Sequence, residues 1–277
     1  MTINQFGKTS EMRIKASARD GKTILEDVYF TAPYKIMKPF EKEDGSSGIS
    51  VMPLCASAGI MAGDVQKFDY SVGTGADLEI LSQSFEKIHK MDEGSASREI
   101  RVEVAAGGSL YYNPQPVIPF AGSAFDSKME IRLADGTSKL FLLDILSCGR
   151  SVSGERFAYR RFCSKVEIYR GEKLVYRDNT CYEPEKMPME GLGMYEGYSH
   201  MANIFLTTSD REDARELQEK IWGIFEENLD CEGGVSQLAS GDLAVRIFGN
   251  RAQILQGIAE KIKEIFQKRT LVLAAVR

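Results

Sequence analysis

The residues best placed to do chemistry lie at 149–156, GRSVSGER, directly after the apolar run LFLLDIL at 140–146. Gly149 and Gly154 bracket Arg150, Ser151 and Ser153, and Glu155 and Arg156 follow. Glycine permits close backbone approach or positive φ. A polar loop fixed to a rigid strand is a common seat of function. Arg150 and Glu155, five residues apart, fit an internal ion pair that fixes the loop. Charges offered to a partner, or lining a polar passage, are the other readings. Nucleophilic catalysis needs a base beside its nucleophile. The chain has two histidines, His89 and His200, far apart in sequence. The segment GRSVS at 149–153 ends in serine where a nucleophile elbow needs glycine. There is no HExxH and no carboxylate pair in a glycosidase setting. Both histidines read as hydrogen-bonded or surface residues. No catalytic residue is assigned, and the chain reads as a non-enzyme.

A second candidate is the turn AGIMAGD at 58–64, closing on Asp64. An acid after glycines is either a cation ligand or a tight corner; without further acids at metal spacing, the corner is preferred. Gly21-Lys22-Thr23 mimics the end of a phosphate loop, but the required earlier glycine is Ala16. It reads as a hairpin turn. Met187, Met189, Met194 and Met201 would suit a soft metal, yet loop packing is the commoner use of such residues. No metal site is assigned. The five cysteines, Cys55, Cys148, Cys163, Cys181 and Cys231, show no CxxC spacing. They read as small buried thiols of a reducing compartment, not as a disulfide framework.

The 277 residues are 43% hydrophobic and 27% charged, enough to bury a sizeable core. A net charge of −5 without a Lys/Arg cluster argues against nucleic acid. No apolar stretch reaches the length of a membrane span, and MTINQFGKTSEMRIK contains no signal-peptide core. A cytoplasmic protein is expected.

The elements that must position these residues are mostly strands. Residues 11–18 alternate with period two and pair across Asp20-Gly21 with 23–31, a hairpin. Short strands are expected at 49–54 and on either side of Gly73 within 65–81, and a clear one at 98–104. Pro114, Pro116 and Pro119 exclude a central strand and suit a rigid crossover or an extended edge. Two more hairpins are expected, 128–146 around Asp135-Gly136 and 165–177 around Arg170-Gly171. Residues 183–197 form a long, mobile surface loop. After His200 comes a strand, then a capping box at Ser209-Asp210-Arg211-Glu212. A helix follows with Ala214, Leu217, Ile221, Phe225 and Leu229 on one face, ended by Gly233-Gly234. A strand at 243–248 and a second helix with Ile254, Ile258, Ile262 and Phe266 complete the tail. No repeat of fixed period is visible. The reading is a mainly β (α+β) single domain over 1–277, with a β body at about 8–200 and a tail at about 200–268.

Four stretches, in order, resemble the UreD/UreH family of urease accessory proteins. They are AGIMAGD with the strands after it, PVIPFAGSAF at 116–125, LLDILSCGRSVSGERF at 142–157, and GVSQLASGDLAVRIFG at 234–249. The chain departs from the family pattern at Ala58-Gly59, where a double glycine is usual, and from Lys268 onward. The resemblance implies a right-handed superhelix of β-sheets carrying two helices. It implies a scaffold or chaperone for nickel insertion into apo-urease, bound to a UreF-type partner that recruits a UreG-type GTPase. Nickel would be in transit, with no tightly bound cofactor. Asp64, Arg150 and Glu155 would face a passage or a partner. Gly59, Gly63, Pro119, Gly122, Gly149, Ser153 and Gly154 would be structural. A hydrolase using the 149–155 loop, or an unrelated interaction module, are the alternatives.

Overall fold

The computed structural model describes residues 7–42 and 46–275, with side chains to residue 269. The chain opens with β1 (Thr9–Arg19) and β2 (Lys22–Phe30), paired antiparallel. Asp20 (φ 52°) and Gly21 (φ 74°) make the turn, the double positive φ that Asp-Gly favours. Short pieces β3 (Tyr34–Lys35), β4 (Phe40–Glu41), β5 (Ile49–Val51) and β6 (Leu54–Cys55) follow. The chain then coils. One rung is β7 (Val65–Val72), β8 (Asp77–Leu81) and β9 (Glu86–Ile88). The next is β10 (Ala96–Val104), β11 (Ser109–Asn113) and β12 (Val117–Pro119). A third begins with β13 (Ala124–Leu133) and β14 (Lys139–Ser147), and β15 (Arg161–Arg170) opens the last.

Each rung pairs parallel with the one before. Val65 is level with Ser97, 32 residues on; Ala96 with Phe125, 29 on; Ala124 with Arg161, 37 on. One face grows into a seven-stranded sheet, the second into a ten-stranded sheet, and β9 and β12 form a short third face. This is a repeat the sequence reading missed, because the rungs share a register but not a length.

The same geometry corrects several expectations. β13 and β14 are not a hairpin; they lie in different sheets, as do β7 and β8, the two strands expected around Gly73. Asp135-Gly136 marks a corner between faces, and turn chemistry is the same for both uses. Residues 49–54 split into β5 and β6, and β6 pairs with β3. The prolines at 114–119 sit on the third face, where β12 makes few ladder bonds.

β16 (Lys173–Tyr182) folds back on β15 as expected, and β17 (His200–Leu206) pairs antiparallel with β14. α1 (Arg211–Glu227) follows, then β18 (Cys231–Gln237), β19 (Leu243–Gly249) and α2 (Ala252–Ala275). Asp210, not Ser209, caps α1, accepting from the Asp213 amide at 3.0 Å. The helix ends at Glu227; Gly233 and Gly234 lie in β18, and Leu229 is exposed. Within 183–197, Met189 and Tyr195 are buried, so the segment is packed down by its apolar residues. The cysteines also differ: Cys163 and Cys181 are bonded to each other, Cys55 is exposed, Cys231 is half-buried and Cys148 is buried.

β14 is buried on both faces, as its apolar run predicts. Leu140 and Leu142 face the coil interior with Ile100, Val102 and Ile131. Phe141, Leu143 and Ile145 face the helices, against Leu217, Ile221, Ile258 and Ile262. A buried charge cluster also ties α2 to the ten-stranded sheet. Lys263 Nζ lies 2.7 Å from Glu79 Oε1, both side chains are 8% exposed, and Glu79 Oε2 accepts from Ser50 Oγ at 2.8 Å. Lys263 also meets Glu260 at 2.8 Å, whereas removing Lys263 would leave the Glu79 carboxylate buried without its ion-pair partner. Lys263→Met is expected to cost about 3–5 kcal/mol in urea denaturation. Lys263→Met with Glu79→Leu is expected to recover most of that loss.

Candidate functional site

Three of the four family-like stretches meet at the corner where the third face turns back into the seven-stranded sheet. Ile60 N–H donates to Lys87 O at 2.8 Å, His89 N–H to Ile60 O at 2.9 Å, and Phe120 N–H to Ile88 O at 2.9 Å. Ile60, Ile88 and Pro119 therefore stand on successive rungs. Glycine is obligatory where backbones press together. Gly59 has φ +148°, and a Cβ there would sit 2.4 Å from Lys87 O. Gly149 has φ +133°, and its Cβ would meet Glu155 O at 2.7 Å and Pro119 O at 3.4 Å. Ala58, in place of a second glycine, leaves Gly59 to meet this demand. The fourth stretch joins through Ser199: Cys148 N–H donates to Ser199 O at 2.7 Å, and Ser199 N–H to Gly249 O at 3.2 Å.

The 149–155 loop is closed by its own charges. Arg150 Nε donates to Glu155 Oε2 at 2.8 Å, and its Nη2 donates to Oε1. The Ala121 amide reaches the same carboxylate at 3.3 Å. The hydrogen bond from Arg150 holds the Glu155 carboxyl below its ordinary range, and Glu155 in turn raises Arg150. The guanidinium lies 4.3 Å over the Phe120 ring, whose centre is 5.0 Å from the His89 ring. His89 Nε2 is 3.0 Å from Ala58 O, an acceptor, so the ring donates from that nitrogen. Between the two charges Ser151–Ser153 makes a short 3-10 turn, with Ser153 N–H on Arg150 O and Gly154 (φ +78°) ending it. Gly63 and Gly122 are further positive-φ corners, and Pro119 is buried at the end of β12.

Asp64 stands apart from the Arg150–Glu155 pair. Its carboxylate accepts from the Met61 amide at 2.8 Å and the Lys8 amide at 3.4 Å. It is a corner cap whose side chain also lines the interior. His200 is buried beside Ser199 Oγ at 2.8 Å, and burial first, then Arg156, pushes its pKa down to about 4.

That interior holds a cavity of about 700 Å³, lined from several rungs. Its polar lining is a connected set. Arg98 donates to Gln66 Oε1 at 2.8 and 2.6 Å and to Glu86, and Gln66 Nε2 donates to Tyr34 OH at 2.7 Å. Phe68 and Phe125 flank the guanidinium at 5.5 and 5.4 Å. Asp144, on the interior face of β14, lines this cavity and a smaller one of about 20 Å³. The smaller space is shared with Ser164, Asp178, Thr180 and Asn203. Asp178 is compensated by Arg246 at 3.2 Å and Thr180 at 3.0 Å. Among the described residues the Asp144 carboxylate makes no hydrogen bond or ion pair. Burial first, then the Asp178 carboxylate, pushes its pKa up to about 6.

The sequence reading missed Arg98, Glu86 and Asp144. Two signals were there. Arg98 is in phase with Ile100, Val102 and Val104, the inward set of β10, and Asp144 is the one acid within LFLLDIL.

A long parallel coil with glycine-locked corners and a polar-lined interior defines a β-scaffold protein. The model of the UreD urease accessory protein family matches residues 8–277, and the chain belongs to that family. It is 37% identical to the urease accessory protein UreD of Acetivibrio thermocellus, over 95% of this chain and 98% of that one. It is 34% identical to the urease accessory protein UreH of Helicobacter pylori strain P12, over 94% and 96% respectively. Against UreD of Actinobacillus pleuropneumoniae the identity is 28%, over 91% and 95%.

Gly149→Ala is expected to lose about 1–3 kcal/mol, for positive φ and the Glu155 carbonyl together. Gly136→Ala, with open space around it, is expected to stay within about 0.5 kcal/mol. For Asp144 the sign is the reverse of the usual carboxylate. Its folded pKa lies above the unfolded value, so it withdraws stability as pH rises from 3.8 to about 6. Asp144→Asn is expected to match the parent below that window. At pH 7 it should exceed it by roughly 1–3 kcal/mol in chemical denaturation.

Proposed function

We propose that the protein is a scaffold for urease maturation, needed for nickel insertion into apo-urease. In this reading it works in the cytoplasm and binds a UreF-type partner, which recruits a UreG-type GTPase. The family match over nearly the whole chain supports the role. The observation that carries the nickel step is the unpaired carboxylate of Asp144, facing an interior lined with hydroxyl, amide and carboxylate oxygens. Nickel favours imidazole and thiolate ligands. Oxygen contacts are weaker and exchange readily, which suits an ion that must move on. Asp144 and the Asp64 corner would touch the passing ion. The 149–155 loop, rigid at its base and with Val152 fully exposed at its tip, would meet a partner.

The test is urease activation in a host whose own gene has been replaced. Asp144→Asn is expected to lower urease activity and urease-bound nickel about 10-fold or more, with partner co-purification unchanged. Arg150→Ala and Glu155→Ala are expected to fold, yet to fail both in activation and in co-purification of the UreF-type partner. Full activation by all three variants would overturn the assignment of these residues. Full activation in a host lacking the protein altogether would overturn the role itself.

A further inference from the structure

Cys163 and Cys181 lie directly opposite each other in the β15–β16 register, their Cα atoms 4.0 Å apart and their sulfurs bonded. β16 is the outer strand of the seven-stranded sheet. Both side chains point away from the interior. Cys163 is in phase with Arg161, Lys165 and Glu167, while Phe162, Ser164 and Val166 point inward. Cys181 is exposed and in phase with Arg177 and Asn179, while Asp178 and Thr180 face the small cavity. The bond therefore adds a covalent clasp at the surface to an edge strand that β15 alone holds. Exposed disulfides are the ones open to thiol attack, and a buried cross-link in a core is not.

We infer that Cys163 and Cys181 form a reversible dithiol–disulfide site that exchanges with a low-molecular-weight disulfide of the glutathione class. In the closing direction, the Cys181 thiolate attacks one sulfur of the small disulfide and expels one thiolate. The Cys163 thiolate then attacks Cys181 Sγ and expels the second. The protein dithiol is oxidised, the small disulfide is reduced to two thiols, and the two protons pass to them. Opening is the reverse. Closure pins β16, and with it Asp178 and Thr180 on the cavity wall, to β15. The site does not depend on the urease reading, since it rests on the register, the bonded sulfurs and the exposure of Cys181, Cys163 being half-buried.

The experiment equilibrates the full chain in glutathione buffers from fully oxidised to fully reduced. Samples are quenched in acid, the remaining thiols are alkylated, and intact mass counts them apart from any glutathione adduct at Cys55. Three free thiols are expected at the oxidised end, Cys55, Cys148 and Cys231, and all five at the reduced end. One two-electron step should connect them, with its midpoint inside the buffer range. Cys181→Ser is expected to lack that step. Three free thiols at every ratio would show a permanent cross-link, and five at every ratio would show no bond; either overturns the proposal. Hydrogen exchange at the β16 amides is expected to be several-fold faster in the dithiol form. Equal exchange in both forms would overturn the link to the cavity wall.

Discussion

The constraint on which the structure depends is parallel pairing between successive rungs. Once β7 lies level with β10, and β10 with β13, each residue's face is fixed for the whole stack. Phe68, Ile100 and Met129 are level, and all three turn inward. Arg13, Asp69, Arg101 and Glu130 are level, and all turn outward with alternating charge. Opposite charges on neighbouring strands support such a row, and like charges would oppose it. The stack also sets the demand at the corners. Rungs a strand spacing apart leave no room for a side chain where the chain doubles back, so Gly59 and Gly149 fall where carbonyls of neighbouring segments press closest.

Much of this was legible in the sequence, and the failures have a common cause. Alternation located β1, β10 and β19, and the run at 140–146 was recognisably a strand buried on both faces. The partners were not legible. A hairpin turn and a corner of the coil use the same residues, so Asp20-Gly21 was read correctly and Asp135-Gly136 was not. The repeat stayed hidden because corners differ in length: register offsets of 32, 29 and 37 residues give no single period. The tail was read well where a helix face dominates. It was read poorly where two glycines in β18 looked like a helix stop. Pairing with β19 places Gly233 against the Phe225 ring, and a Cβ there would sit 2.9 Å from it.

The site was legible in a different way. The family-like stretches looked scattered, yet they are neighbours because a coil returns the chain to the same corner on every turn. A motif read along the sequence is here a column read across it: Ala58, His89, Phe120 and Arg150. The Arg150–Glu155 pair was visible from spacing alone, since both partners lie in one loop. Arg98 with Glu86 and Gln66 was not, because its partners come from neighbouring strands and loops.

Asp144 is where local consistency breaks down. Its neighbours in β14 are apolar, its cross-strand partner is Asn203, and Arg246 is spent on Asp178 and Asn203 instead. A fold selected only for stability would place asparagine or leucine there, since a carboxyl largely withdrawn from solvent without a partner is costly. Arg98 shows that this interior can hold a charge when it surrounds it with acceptors and rings. The same scaffold therefore compensates one buried charge fully and leaves another open to the cavity. Departures of this kind tend to mark function in a chain that is otherwise self-consistent. An open carboxylate beside water-sized space is chemically a place for a proton or a cation, and burial with the Asp178 carboxylate nearby favours the proton.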